Sequence, residues 1–186
     1  MPGSIIPPHG GYQNLLSYRK AEIIYDGTVY FCNHHVDRRS RTFDQMIQAA
    51  RSGKQNIVEG SMASGTSKLT EIKLTNVARA SLEELLTDYR DFLRVRGLTV
   101  WPEGSPHDRQ LRALNRRRDA TYDTFRAGIE SPDPAMAANV LIGLIRVTTY
   151  LLARQLLALE RDFLRDGGLR ERMMRARLDQ RRRAGG

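Results

Sequence analysis

The chain has 186 residues, 40% hydrophobic and 27% charged, which suffices for one buried core and excludes wholesale disorder. Its formal net charge is +9, and the cations are nearly all arginine, with lysine only at Lys20, Lys54, Lys68 and Lys73. A lone cysteine, Cys32, excludes an intramolecular disulfide and a cysteine-built zinc site, and suits a reducing compartment. The stretch Met1 to Gly11 lacks the apolar segment of a signal peptide, and Arg146 and Arg154 interrupt the most apolar stretch, residues 135–159. The expectation is therefore a cytoplasmic protein without a membrane span.

Residues 1–11, rich in proline and glycine, read as a disordered lead. From Tyr12 the apolar positions Tyr18, Ala21, Ile24, Thr28, Phe31 and His35 recur at three and four, predicting a helix that ends near Asp37. Gly27 within it marks a close helix crossing, since glycine mid-helix costs about 1 kcal/mol relative to alanine. A second helix is predicted to start after Thr42, with Phe43, Met46, Ile47, Ala50, Lys54, Ile57 and Val58 on its inner face, and to stop around Gly60. Lys54 lies on the apolar side, so its ammonium either reaches out to solvent or meets an acid.

Ser67 is placed to cap a third helix with Glu71 in its first turns. Leu74, Val77, Ala78, Leu82, Leu85, Tyr89, Phe92 and Leu93 form its stripe, Gly97 closes it, and Asn76, Arg79, Glu83, Arg90 and Arg94 face away. A loop with Trp101, Pro102 and Pro106 follows, then a charged segment, 108–127, predicted as one shorter helix. Pro134 opens the last long helix, whose apolar residues from Val140 to Phe163 cover roughly half of the circumference. A single bundle contact needs a stripe only somewhat over ~100° wide. The surplus implies a second contact, either with 108–127 or with another subunit. After Gly167-Gly168 comes a basic tail, Leu169 to Arg183, whose arginines point all round a helix and whose Met173, Met174 and Leu178 do not align; it is expected to be mobile when unbound.

Few arrangements in this chain carry chemistry. Gly53-Lys54 has the dipeptide of a phosphate-binding loop, but Gln48 stands where the first glycine belongs, Gln55 follows the lysine, and the segment is helical. His34 and His35 are adjacent and so lie on different helix faces, whereas a helical metal pair needs i and i+4 spacing. No Glu-x-x-His pair suits a di-iron bundle. Glu59, Glu83 and Glu84 read as helix-surface charges rather than as acid or base catalysts. The placement of positive charge is more informative, because residues 134–186 carry eleven basic against five acidic residues. Arginine forks match phosphate oxygens, although a genome that writes arginine for any surface cation would leave the same composition.

The stretch from Thr42 to Gly97 resembles a known family. Thr42-Phe43-Asp44-Gln45-Met46, Asn56-Ile57-Val58-Glu59-Gly60 and Ala78-Arg79-Ala80-Ser81-Leu82-Glu83-Glu84-Leu85 are similar to segments of the 23S rRNA intervening-sequence family of bacterial four-helix-bundle proteins. Ala138 to Leu178, with Gly167-Gly168-Leu169-Arg170-Glu171-Arg172-Met173, resembles the extension of its suffix-domain subgroup. The resemblance implies a ring-shaped homopentamer without enzymatic activity, and kinship in fold with the accessory variability protein of diversity-generating retroelements, which binds nucleic acid and a reverse transcriptase. Family members are usually shorter, so residues 98–133 look like an insertion, and they often have proline where Lys54 stands. The carried-over residues Asn56, Glu59, Arg79, Ser81 and Glu83 are expected to be mostly structural.

The expected architecture is all-α, an antiparallel up-down-up-down four-helix bundle over residues 12–166 with a basic tail at 167–186. The expected function is non-enzymatic nucleic-acid binding by a homo-oligomer, without cofactor or metal. The phosphate-contacting residues would be Arg79, Arg90, Arg94, Arg170, Arg172, Arg175, Arg177, Arg181, Arg182 and Arg183. The alternative is an oligomeric scaffold whose tail binds an acidic protein.

Overall fold

Side-chain oxygens set where the helices begin. Ser40 accepts from the backbone N–H of Thr42, Ser67 from Thr70, Ser105 from Asp108 and Asp133 from Ala135, each satisfying a donor that a helix start leaves free. The computed structural model describes residues 10–184, and within them the chain forms seven α-helices and no strand. They are α1 (Leu16–His35), α2 (Arg41–Ala63), α3 (Lys68–Arg94), α4 (Pro106–Asn115), α5 (Tyr122–Ile129), α6 (Pro134–Asp166) and α7 (Leu169–Ala184).

The four long helices pack in cyclic order, α1 on α2, α2 on α3, α3 on α6 and α6 on α1. Their shared core is continuous, with Ile24, Phe31, Met46, Leu82, Leu85, Tyr89, Leu141 and Leu152 at or near zero exposure. At its centre the Tyr89 hydroxyl donates to Thr28 Oγ1 at 3.0 Å, while Phe31 meets the Tyr89 and Phe92 rings edge-on. At one end Ser17 Oγ donates to Gln155 Oε1, joining the start of α1 to the far part of α6.

Two glycines let these helices approach closely. A Cβ on Gly27 would sit 2.7 Å from Leu141 Cδ2, and one on Gly53 would sit 2.7 Å from Leu82 Cδ2. Gly60 is buried against α3, where a Cβ would only come to ordinary contact, 3.4 Å, with the Glu71 carbonyl, and it does not end α2, which continues to Ala63. That corrects the expected stop at Gly60; the start also shifts, because Ser40 and not Thr42 caps the helix. Lys54 is half-buried with its ammonium 4.2 Å from the Tyr25 ring centroid, a cation–π contact, and its charge also acts on the neighbouring Asp26 carboxylate.

The segment expected as one helix over 108–127 is two. The turn after Asn115 ends α4, and Thr121 restarts the chain with a reciprocal capping box to Thr124. Both short helices pack on α6, and α5 also on α1. Leu111, Phe125 and Ile129 are buried in the common core. Asn139, 2% exposed, fastens the preceding loop, accepting from the Trp101 N–H and donating to the Thr99 carbonyl. The α6 surplus is thus covered, along its first half, by the chain's own α4 and α5.

By length and composition the segment Pro134–Glu171 could cross a membrane despite its arginines, but 61% of its most apolar window is buried inside the protein. Residues 1–9 of the expected lead lie outside the described residues. Gly10 N–H donates to the Ser61 carbonyl, and Tyr12–Asn14 form a single 3-10 turn before α1.

Two outcomes follow from this packing. Gly53→Ala gains about 1 kcal/mol of helix propensity but overpacks against a fully buried Leu82, at about 1–3 kcal/mol; urea unfolding should show a net loss. His35 has a buried Nε2 without a hydrogen-bond partner. Burial lowers its pKa below the usual 6.5, and the neighbouring His34 lowers it further, against partial offsets from the Ser131 backbone and Asp133. The unfolded chain therefore takes up this proton first. Stability should be full above pH 6.5 and decline as pH falls through the unfolded and then the folded pKa. The His35→Phe variant should show a flatter stability profile across that window.

Candidate nucleic-acid interface

The tail forms the helix α7, and from Arg170 onward every side chain described in it is exposed. No other helix packs along it. At 1.5 Å per residue its 16 residues span roughly 24 Å. Arg170, Arg175, Arg177, Arg181 and Arg182 make no ion pair among the described residues, and the side chains of Arg172 and Arg183 are not described. Because Glu171 bonds the Gly168 N–H across the preceding turn, it does not neutralise an arginine.

The apolar residues of α7 are arranged differently from expectation. Met173, Met174 and Leu178 line one shallow concave face together with Arg170, Arg177 and Arg181. Steps of three and four residues bring them to the same side. This face interleaves thioether and aliphatic groups with guanidinium groups, all accessible.

On α3, Arg79 and Arg90 are exposed and make no ion pair among the described residues, whereas Arg94 is held by Asp91 through Nε and Nη2 at 3.1 and 2.9 Å. An exposed pair of this kind contributes only ~0–1 kcal/mol, so a phosphate can displace the carboxylate.

The family-like residues separate into two groups. Asn56 Nδ2 donates to the Ser52 carbonyl at 2.9 Å and to Ser52 Oγ at 3.1 Å, and Ser52 Oγ lies 2.9 Å from Ser81 Oγ. This chain ties α2 to α3 immediately beside Gly53. Sequence reasoning missed Ser52, its central member, although the residue stands one turn before Asn56 and next to the glycine at the crossing. Glu59 and Glu83 are exposed and join no side-chain bond among the described residues.

A second basic cluster also escaped the sequence reading. Lys20 on α1, Arg116 and Arg118 in the turn after α4, and Arg146 on α6 line one cleft between those elements. Two signals marked it, the run Arg116-Arg117-Arg118 and a lysine inside the α1 apolar pattern. Comparison of the chain with protein-family models, with curated proteins and with solved structures returned no match.

Proposed function

We propose that the chain is a non-enzymatic nucleic-acid-binding protein that acts as a homo-oligomer, with α7 as its principal contact. The observation that carries this reading is α7 itself, a helix whose described arginines make no ion pair among the described residues and whose described side chains are exposed from Arg170 onward. Such an element gains affinity by releasing the counterions condensed on phosphates, and needs no sequence-specific pocket. Arg79 and Arg90, with Arg94 once freed from Asp91, add a second strip. We place the protein in the cytoplasm, with α6 as a core helix.

In this reading α1, α2, α3 and α6 form an antiparallel up-down-up-down four-helix bundle, and residues 98–133 are an insertion that covers α6. The cyclic packing of the four helices and the pairing of Ser17 with Gln155 support that arrangement. Likeness to the intervening-sequence family adds a ring of five copies and a reverse transcriptase as partner. A specific surface favours self-association. Leu157 and Leu164 stand seven residues apart on α6, with exposures of 64% and 84%. That is the spacing of a helix seam.

A second reading draws on the methionines of α7, since apolar residues among its arginines suit an acidic amphipathic protein partner better than a phosphate backbone.

Light scattering coupled to size exclusion should report a particle several times the 21.2 kDa chain, and Leu157→Asp should shrink it. A monomer at micromolar concentration refutes the assembly. Binding of fluorescent RNA and DNA should weaken steeply with salt and vary little with sequence, with a log–log slope of about −0.9 per phosphate contact on duplex DNA. Truncation after Gly168 should preserve helicity while reducing both affinity and slope. Undiminished binding by the truncated chain moves the interface to Arg79, Arg90 and Arg94; absence of binding at low salt by either form favours the acidic-protein reading.

A further inference from the structure

We infer that the cleft between α1, α4 and α6 is a binding site for a small organic phosphate, a phosphate monoester on an apolar or aromatic body of nucleotide size. The cleft has a volume of about 440 Å³, within the range of small-ligand pockets. Its floor holds Lys20, which is only 2% exposed. The ammonium donates to Asn115 Oδ1 at 3.0 Å and lies 5.9 Å from the Phe125 ring centroid. No carboxylate pairs with it among the described residues. An ammonium has three protons to donate, and Asn115 takes one. A buried charge of this kind costs stability unless a counter-charge reaches it.

The rim supplies more of the same sign. Arg116, Arg118 and Arg146 line the cleft and make no ion pair among the described residues. One carboxylate, Asp108, also lines it, but that group already accepts from the Gly104 N–H at 2.8 Å and from Arg112 Nε at 2.9 Å. Arg112 is bound besides by Glu103 at 2.7 Å. Asp108 is thereby hydrogen-bonded to Arg112, with Arg146 also acting on its charge, and Lys20, Arg116, Arg118 and Arg146 line the cleft with no ion pair of their own among the described residues. Arg19 and Arg118 line a smaller groove that adjoins it at Leu16.

The opposite wall is apolar. Leu16, Leu111, Val147 and Leu151 form it, and the Tyr150 ring stands 61% exposed at its edge. An aromatic ring beside a shelf of aliphatic carbons accepts a planar group by stacking. Depth decides between a small ligand and a continuous strand. The backbone of a nucleic acid can run over the rim arginines, but Lys20 is 2% exposed as a residue and stands below that rim, where a terminal phosphate on a small body reaches further than the phosphates of a continuous strand. This site is separate from α7, and its occupancy does not depend on the nucleic-acid reading.

Calorimetric titration of the full chain in phosphate-free buffer tests the inference with AMP, adenosine and inorganic phosphate as probes. AMP should bind saturably and raise Tm, inorganic phosphate should bind more weakly, and adenosine weakest, because the phosphate engages the cations. Arg116→Gln and Arg146→Gln change exposed side chains and should fold normally. Each should weaken AMP binding by roughly tenfold to a hundredfold, the equivalent of one charge-assisted hydrogen bond. Lys20→Met should raise Tm without ligand, since it removes an unpaired buried charge, and should abolish the AMP-induced rise. Truncation after Gly168 should leave AMP binding intact. Failure of AMP and phosphate to bind at millimolar concentration overturns the inference. So does AMP binding that survives in Lys20→Met and Arg146→Gln, or that disappears with the tail. An oligonucleotide with a 5′-phosphate that binds no better than its unphosphorylated form, while AMP binds, identifies the occupant as a free small molecule.

Discussion

A helix that is apolar around half its circumference cannot be satisfied by two neighbours, and the rest of this fold is organised by that demand from α6. Thirteen of its residues are buried, from Ala137 to Leu159, and they point toward four different helices. α1 and α3 cover one side, and α4 and α5 the other. Gly128 and Gly143 make the second contact close, for a Cβ on Gly128 would meet Val140 at 2.7 Å, and one on Gly143 would overlap the Leu111 side chain. Each fully buried large aliphatic side chain contributes about 1.5–3 kcal/mol, so the segment between α3 and α6 is held by more than the hydrogen bonds of Asn139.

The same folding sorts the charges. Several arginines between α3 and the end of α6 meet an acid a few residues away, as in Arg117 with Asp119, Arg126 with Asp123 and Glu130, and Arg165 with Asp162 and Asp166. Such local pairs form on a helix surface whatever the tertiary structure does, and they cancel charge at each place. Among the described residues, α7 and the cleft around Lys20 each gather several cations that make no ion pair. These are different kinds of surface. The first is open along its length with one shallow face of interleaved apolar and basic side chains, suited to a long polyanion held by many weak contacts. The second is concave and deep, suited to one anionic group held by few strong ones.

Cross-helix polar contacts reinforce this division. The Asn56–Ser52–Ser81 chain lies between α2 and α3, beside the close approach at Gly53, and the Tyr89–Thr28 bond links α3 to α1 across the core. Satisfied hydrogen bonds of this type add about 0.5–1.5 kcal/mol each and fix which side chains face each other.

The sequence by itself determined the helical class, the bounds of α3 and α6 to within a residue or two, the close crossing at Gly27, and the outward face of Asn76, Arg79, Glu83, Arg90 and Arg94. All of these follow from a periodicity or a cap that acts within one or two turns. It also marked the arginine-rich tail, because charge composition needs no fold to be visible. Only the tertiary structure decided that the 108–127 segment breaks at Arg116–Thr121, that Gly60 lies inside a helix, and that the wide stripe of α6 is covered by its own chain. It alone joined Lys20 to Asn115, Arg118 and Arg146, residues from three regions of the chain that no local pattern connects. The physical reason is that periodicity reports which face of a helix is apolar, while the partner of that face, and the fate of a charge set within it, depend on which distant segment the packing brings there.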